Sequence, residues 1–297
     1  MCQWRRSLLV AHQIKQVCHE AVKVQKMRWL FLTLTCRNVS GEDLSKQIDH
    51  LMKSWKRLTL RKEFKAVVGW FRAFEVTRNM QDGTYHPHFH VLLGVKPMYF
   101  DTGYVKQEEW VRIWGECLEV DYEPVVDIRI VRNKPNNDYQ AILAKKGIEI
   151  KADGRLVEAD LSGSAVAELA KYSAKSGDFI VYNRYKMREV KGRLKFVPDA
   201  KSGIDTATTD EVVATLDDSL ARRRLYAFGG LLKEVFARLE AEGKIKHADD
   251  PDADLVHVEE KDTQCKCSAC ASDMVEELYS WIPDVRNYIK KEKALLD

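Results

Sequence analysis

Apolar and polar positions alternate in three short runs of the N-terminal third, and this pattern predicts three β-strands. The runs are residues 29–35, 67–78 and 86–95. Between the second and third runs lies a turn-rich segment containing Asp82-Gly83, a dipeptide typical of tight hairpins. The pattern therefore predicts an antiparallel hairpin and one further strand.

Helical periodicity dominates the segments around these strands. It occurs in residues 12–27, 41–60, 106–118, 167–175 and 219–242. Ser40 lies where the second helix needs an N-cap, with Asp43 three residues later as its acidic partner. A short alternating run at 125–131 predicts another strand. Since strands and helices follow one another without regular βαβ spacing, we expect an α+β fold, a central antiparallel sheet with flanking helices.

The chain is predicted to divide near residue 200. Residues 201–210 have the composition of a linker, and residues 248–262 form an acidic segment that cannot bury much apolar surface. We expect one large domain over residues 1–200. A smaller, mainly helical C-terminal region should occupy residues 201–297, with the acidic segment and a cysteine cluster in it.

Three histidines occupy alternate positions of the third predicted strand. Because residues i, i+2 and i+4 of a strand point to one face, His86, His88 and His90 should converge there while the intervening apolar residues enter the core. Folding of the hairpin would bring Glu75 beside His88 and His90. Two imidazoles and one carboxylate are typical of a divalent metal site, although a solvated row of surface histidines has the same spacing.

A predicted helix carries a second group of candidate residues. In residues 167–175 the helical spacing places Glu168, Tyr172 and Lys175 on one face. A glutamate one turn before a tyrosine is also common on ordinary helix surfaces. This pair therefore indicates chemistry only in combination with the histidines.

Taken together and in this order, three segments resemble the replication initiators of small rolling-circle plasmids, which are members of the HUH endonuclease superfamily. The segments are Phe31-Leu32-Thr33-Leu34-Thr35, His86-Pro87-His88-Phe89-His90-Val91-Leu92 and Glu168-Leu169-Ala170-Lys171-Tyr172. The resemblance runs from Trp4 to Ala200 and continues less strongly through residues 222–234. It implies the HUH nuclease fold and a site-specific nickase and strand transferase acting at the plasmid double-strand origin.

The resemblance also implies catalytic roles. Tyr172 would attack the scissile phosphodiester, which leaves a 5′-phosphotyrosine and a free 3′-hydroxyl able to prime a polymerase. Glu168 would activate the water that hydrolyses the last junction at termination. The implied partners are the nick site with its adjacent duplex, a host superfamily 1 helicase and a DNA polymerase, and the family pattern is compatible with a homodimer.

A metal would assist the tyrosine, whose unperturbed pKa of about 10 makes it a weak nucleophile at neutral pH. The two-histidine, one-carboxylate set predicts His88, His90 and Glu75 as ligands, and the resemblance gives His86 a supporting rather than a ligating place. Imidazoles with a carboxylate and open positions favour Mn²⁺, whereas cellular abundance favours Mg²⁺.

Charge is distributed unevenly along the chain, although the net charge of the 297 residues is only +3. Residues 1–72 hold 15 Lys and Arg against five Asp and Glu, whereas residues 247–297 hold six against 13. Two basic stretches with interleaved aromatics, 55–65 and 182–188, suit phosphate contact and base stacking, but solvated helix or loop surfaces have the same composition. The predicted DNA-binding residues are Lys56, Arg57, Arg61, Lys62, Lys171, Lys175, Arg184 and Lys186.

The seven cysteines of a chain this long do not predict a disulfide framework. Cys265, Cys267 and Cys270 form a tight cluster that lacks a fourth ligand for a tetrahedral structural zinc. The resemblance offers Cys2 as the last member of a cysteine-rich segment, which would mean that the chain begins inside that segment. His257 is the other candidate, and three reduced cysteines without zinc remain an alternative.

Hydropathy and the first residues predict a cytoplasmic protein with no membrane partner. There is no apolar run of about 18 residues and no apolar leader at the start. Two other function classes stay open. A non-haem iron oxygenase would use the same ligands but leaves Tyr172 and Glu168 without a role. A DNA-binding repressor would account for the charge but not for the histidines.

Overall fold

The computed structural model describes residues 3–101, 103–131, 166, 169–170, 179–190, 193–247, 279–282 and 287–290. In these ranges the helices are α1 (Gln3–Val24), α2 (Gly41–Thr59), α3 (Gln107–Leu118), α4 (Thr206–Leu220) and α5 (Leu231–Ala241). The strands are β1 (Arg28–Thr35), β2 (Val67–Arg78), β3 (Tyr85–Val95), β4 (Val126–Ile130), β5 (Tyr185–Val190), β6 (Arg193–Pro198), β7 (Tyr226–Gly230), β8 (Tyr279–Ile282) and β9 (Asn287–Lys290). Short 3₁₀ helices occupy Lys62–Ala66, Pro97–Phe100 and Ala200–Ser202.

The main sheet has five strands in the order β4-β1-β3-β2-β7, and all of its neighbouring pairs are antiparallel. The expected α+β fold is confirmed, with β2 and β3 forming the predicted hairpin. Ser40 caps α2 as expected, because its side chain accepts a hydrogen bond from the Asp43 amide at 3.3 Å. None of the helices in the described part of the chain is long and apolar enough to cross a membrane.

Each face of the sheet is covered by a separate layer. Phe74, Phe89 and Leu34 point toward α2 and α3 and share one apolar cluster with them. Phe71 and Leu92 point to the other face and share a second cluster with α1 and α5. The histidines of β3 belong to this second face, since they alternate with Phe89 along the strand.

The prediction of a helical pattern over residues 219–242 was wrong in its first half. Residues 226–230 form β7, an edge strand paired with β2, and α5 begins only at Leu231. Tyr226 and Phe228 lie on one face of this strand and contact the buried Phe71 ring, with centroids at 6.3 and 4.8 Å. Burial of these aromatic rings against the sheet outweighs the local helical pattern.

The glycine pair at 229–230 is required by close approach to β2. A Cβ at Gly229 would lie 2.1 Å from the Trp70 ring, and one at Gly230 would lie 2.4 Å from the Val68 carbonyl oxygen. Gly230 also has a φ of +55°, in the left-handed region that glycine adopts without strain. The pair therefore ends a strand that runs close beside β2.

Residues 201–210 were expected to be a linker, and this was also wrong. The segment contains the end of a 3₁₀ helix and the start of α4, whose N-cap Asp205 accepts a hydrogen bond from the Thr208 amide. The chain divides instead into two compact units, residues 1–253 and residues 254–297. The described part of the second unit is the hairpin of β8 and β9.

Candidate metal centre

Glu75, His88 and His90 are brought together at one end of the β2–β3 hairpin. Glu75 is directly opposite His88 in the strand register, and the small Ala73 is opposite His90. The Glu75 Oε2 lies 3.6 Å from the His88 Nε2 and 3.2 Å from the His90 Nε2. One ligand atom from each of the three residues falls within 4.8 Å of the other two, the only such group in the described ranges.

The three side chains are almost fully buried, with exposed fractions of 5% for Glu75, 9% for His88 and 11% for His90. A carboxylate oxygen and the bare nitrogen of a neutral imidazole are both acceptors, so their close approach is favourable only with a proton or a cation between them. A divalent cation satisfies all three groups at once. The donor set fits the metal site that the sequence predicted.

Both imidazoles present Nε2 to the carboxylate because Nδ1 has another partner. The His88 Nδ1 lies 3.0 Å from the His86 carbonyl oxygen, which only accepts, so His88 donates from Nδ1. The His90 Nδ1 lies 3.2 Å from the Thr33 hydroxyl oxygen. Such partners orient metal-binding histidines and leave the other ring nitrogen free to bind a metal.

Thr33 was not singled out as a functional residue by the sequence reasoning, although it lies in the first family segment. The register places Thr33 opposite His90 on β1 and on the same face of the sheet. Its position two residues from Phe31 and Thr35 was the available signal, because alternation alone assigns all three to the histidine face.

His86 lies beside the three-residue group and not in it. Its Nδ1 is 2.8 Å from the Asn38 side-chain oxygen, and its ring centroid is 5.2 Å from that of His88. Burial, together with the neighbouring His88, lowers the pKa of His86 below its usual value. This neutral, hydrogen-bonded imidazole is consistent with a supporting place at the rim of the site.

The proposed catalytic residues Glu168 and Tyr172 lie outside the described residues, as do Lys171 and Lys175. Their described neighbours Val166, Leu169 and Ala170 are buried in the apolar cluster on the histidine face of the sheet. The Ala170 amide donates to the Val166 carbonyl at 2.9 Å, a helical hydrogen bond. The candidate zinc ligands Cys2, Cys265, Cys267 and Cys270 and the alternative His257 also lie outside the described residues.

The four basic residues predicted near the end of α2 are not on the histidine face. Arg57 donates from Nε to the Cys117 carbonyl at 2.6 Å, and Arg61 forms ion pairs with Glu63 and Glu116. Lys56 is exposed on α2, in the layer over the opposite face of the sheet, and Lys62 begins the 3₁₀ helix that follows. DNA contact by these four residues stays a prediction.

Arg184 and Lys186, by contrast, lie near the end of the sheet that carries the histidines. Both are exposed at the start of β5. The neighbouring Tyr185 hydroxyl contacts the Met80 sulfur at 3.5 Å, and Met80 is in the turn that leads into β3.

Comparisons with known proteins identify the family of the chain. Residues 1–289 match the model of a family described as replication protein, Rep_1. The chain belongs to this replication protein family. It is 38% identical to a protein named "Protein rep" from Bacillus amyloliquefaciens over 98% of its own length and 74% of the relative's. It is 30% identical to a "Replication protein" from Staphylococcus aureus over 94% of its own length and 98% of the relative's. No solved structure matches.

Proposed function

We propose that the protein is the initiator of rolling-circle replication of a plasmid and nicks one strand of the double-strand origin. The observation that carries this proposal is the buried Glu75–His88–His90 group in a chain of the replication protein family. A helical turn that precedes Tyr172 packs on the same face of the sheet, which supports Tyr172 as the nucleophile.

Cleavage would proceed by transesterification. The Tyr172 phenolic oxygen attacks the scissile phosphorus, the bond from phosphorus to the 3′-oxygen breaks, and the phenolic proton is released as the 3′-hydroxyl gains one. The products are a 5′-phosphotyrosine and a 3′-hydroxyl primer end. A metal held by Glu75, His88 and His90, Mn²⁺ or Mg²⁺, would polarise the scissile phosphate and stabilise its developing charge.

Termination would use Glu168 in place of a second tyrosine. Its carboxylate accepts a proton from a water molecule that attacks the phosphorus of the second nick-site junction. The bond from phosphorus to the 3′-oxygen breaks, which leaves a 5′-phosphate on one side and a 3′-hydroxyl on the other. That 3′-hydroxyl attacks the phosphotyrosine, the bond from phosphorus to the Tyr172 oxygen breaks, and the phenolic oxygen regains a proton. This assignment follows from the resemblance and from the helical spacing of the two residues.

The nucleophile is tested on supercoiled DNA that carries the origin, with Mn²⁺ or with EDTA. We expect a nicked circle with protein bound covalently at its 5′ end in the presence of Mn²⁺ only. Tyr172→Phe should abolish this product, while the control Tyr182→Phe should keep it. Peptide mapping of the adduct to Tyr139, Tyr182 or Tyr185 would reassign the nucleophile.

The general base is tested separately with an oligonucleotide that carries two joinable nick sites. Glu168→Ala should form the first adduct and then accumulate it, because the water is no longer activated. Glu168→Tyr should restore part of the strand transfer by supplying a second nucleophile. Equal rates of final release for the wild type and Glu168→Ala would show that another group activates the water.

The metal ligands are tested by calorimetry with Mn²⁺. Glu75→Gln keeps the size of the side chain but removes the only anionic ligand of the group, so the affinity should fall markedly. If the affinity for Mn²⁺ were unchanged, Glu75 would not be the third ligand, and His86 would be the next candidate. Binding of duplex DNA without any nicking would instead favour the repressor class, and oxygen consumption with iron would favour the oxygenase class.

A further inference from the structure

A two-stranded ribbon, β5 and β6, lies outside the main sheet and presents a cationic face. Among the described residues the two strands pair only with each other, in the register Lys186↔Val197, Met187↔Phe196, Arg188↔Lys195. Directly opposite residues of an antiparallel pair point to one face, and the face alternates along each strand. Lys186, Arg188 and Lys195 therefore share one face.

The other face of the ribbon is mainly apolar, although Glu189 also lies on it by register. Tyr185 and Phe196 stack with ring centroids at 4.9 Å and an interplanar angle of 9°. Met187 and Leu194 are on this same face by register. The two faces thus differ sharply, since every cation named above points away from the aromatic pair.

The cations of the ribbon are exposed, and their intramolecular contacts are weak. The contact of Lys186 with Asp199, at 3.4 Å, joins an exposed ammonium to a half-exposed carboxylate, a kind of surface pair worth little free energy. Arg188 and Lys195 are directly opposite each other. Repulsion between the two positive charges makes this pairing unfavourable unless an anion lies between them. The repulsion between these cations would be relieved if a polyanion bound to this face.

The base of the ribbon adjoins the end of the hairpin that carries the metal group. The Tyr185 hydroxyl reaches the Met80 sulfur in the β2–β3 turn, and six residues after Met80 the chain arrives at His86. Tyr182, just before β5, pairs with Ile204 in an isolated bridge, and Val181 is buried in the apolar cluster beneath α2 and α3, on the face opposite the histidines. The ribbon is therefore anchored to the body next to the β2–β3 turn, from which the chain enters the strand that carries the histidines.

We propose that the face formed by Lys186, Arg188 and Lys195 binds the phosphate backbone of duplex DNA next to the nick site. The inference rests on the proposed function and specifies that this surface binds the duplex part of the substrate. An element of two paired strands is of a size that the major groove of B-DNA admits. When the cationic face binds a duplex, the aromatic face is still available for contact with the protein body or with base edges.

The test measures the affinity of the full-length protein for an origin duplex between about 50 and about 200 mM salt. Each phosphate contact contributes about 0.9 to the slope of log K against log salt. The variant Lys186→Ala/Arg188→Ala/Lys195→Ala should therefore reduce the magnitude of the slope by about 2.7. The charge-conserving variant Lys186→Arg/Arg188→Lys/Lys195→Arg should keep the wild-type slope.

A matched control removes three exposed lysines from helices. Lys46→Ala/Lys53→Ala/Lys233→Ala changes the net charge equally, and these residues are exposed on α2 and α5. Its slope should stay at the wild-type value. Equal slopes for the ribbon variant and this control would overturn the proposal, because the effect would then follow net charge alone.

Two further arms separate the alternatives. The first uses a single-stranded oligonucleotide that spans the nick site. On this ligand the slope of log K against log salt should differ by less than about one unit between the wild type and the ribbon variant. A loss as large as on the duplex would mean that the ribbon binds the single strand, and the proposal would be wrong. Formation of the Tyr172 adduct by the wild type on that oligonucleotide tests the proposed function independently of the ribbon.

Discussion

The two faces of the main sheet are built from alternate residues of the same strands, yet they differ in kind. On one face Phe89 packs against Phe74 and Trp55, with centroids at 5.6 and 6.0 Å, under a cover of helices α2 and α3. On the other face His88 and His90 surround a buried carboxylate. A single strand thus supplies the core and the proposed catalytic centre, which ties the geometry of the site to the rigidity of the core.

Two groups of basic residues differ in a similar way. The arginines at the end of α2 are held by the Cys117 carbonyl and by carboxylates of α3 and its surroundings. On the β5–β6 ribbon, Lys186 makes only a weak ion pair with Asp199, and the neighbouring Tyr185 contacts the β2–β3 turn while it packs against the same apolar cluster as α2. Basic residues of similar sequence pattern therefore serve packing at the end of α2 and remain exposed on the ribbon.

The largest expected effect is on the histidine face. His90→Ala should reduce metal-dependent nicking by at least about 1000-fold, since metal stabilisation of the transition state is worth several kcal/mol. Because the removed ring is almost fully buried, thermal unfolding is measured alongside to show that the variant is still folded. A variant that nicks at the wild-type rate with Mn²⁺ would remove His90 from the ligand set.

A substitution at Phe89, the neighbour of His90 on β3, should mainly lower stability. Phe89→Ala should lower the free energy of unfolding by about 3–5 kcal/mol, because it leaves a cavity beneath α2. Its ring is fully buried among the aromatic side chains of the core. Urea denaturation measures this loss, and a cost below about 1 kcal/mol would show that the core collapses around the gap.

A smaller effect is expected from the residue that orients His90. Thr33→Val keeps the shape of the side chain but removes the hydroxyl near the His90 Nδ1, so the Mn²⁺ affinity should fall about 10–100-fold. Thr35→Val is the control, because that hydroxyl donates to the Val125 carbonyl and not to a histidine. Equal affinities in calorimetry for all three proteins would remove Thr33 from the support of the site.

The smallest effect is expected in the layer over the core face. Arg57→Ala should lower the free energy of unfolding by about 1 kcal/mol, the usual net value of an intramolecular hydrogen bond, because Arg57 donates to the Cys117 carbonyl near the end of α3. The exposed neighbour Lys56→Ala should leave stability unchanged. A reduced salt slope for DNA binding in Arg57→Ala would assign this residue to a DNA surface after all.

The alternation of residues predicted much of the sheet and of the metal group. The register of the hairpin follows from the short turn around Asp82-Gly83, so Glu75 was placed beside His88 from the sequence alone. Strand β7 was missed, because its contacts with Phe71 and Trp70 lie more than 150 residues away in the chain. Local periodicity carries no information about such partners.

The sequence by itself determined which side chains share a face, since the two-residue period of a strand and the spacing of a helix are local properties. Only the tertiary structure decided what each face meets. It placed Thr33 against His90, engaged Arg57 and Arg61 in bonds within the chain, and left Lys186 and Arg188 exposed beside the histidine end. These outcomes depend on which distant segments pack together, and that is set by the burial of apolar surface over the whole domain rather than by any local pattern.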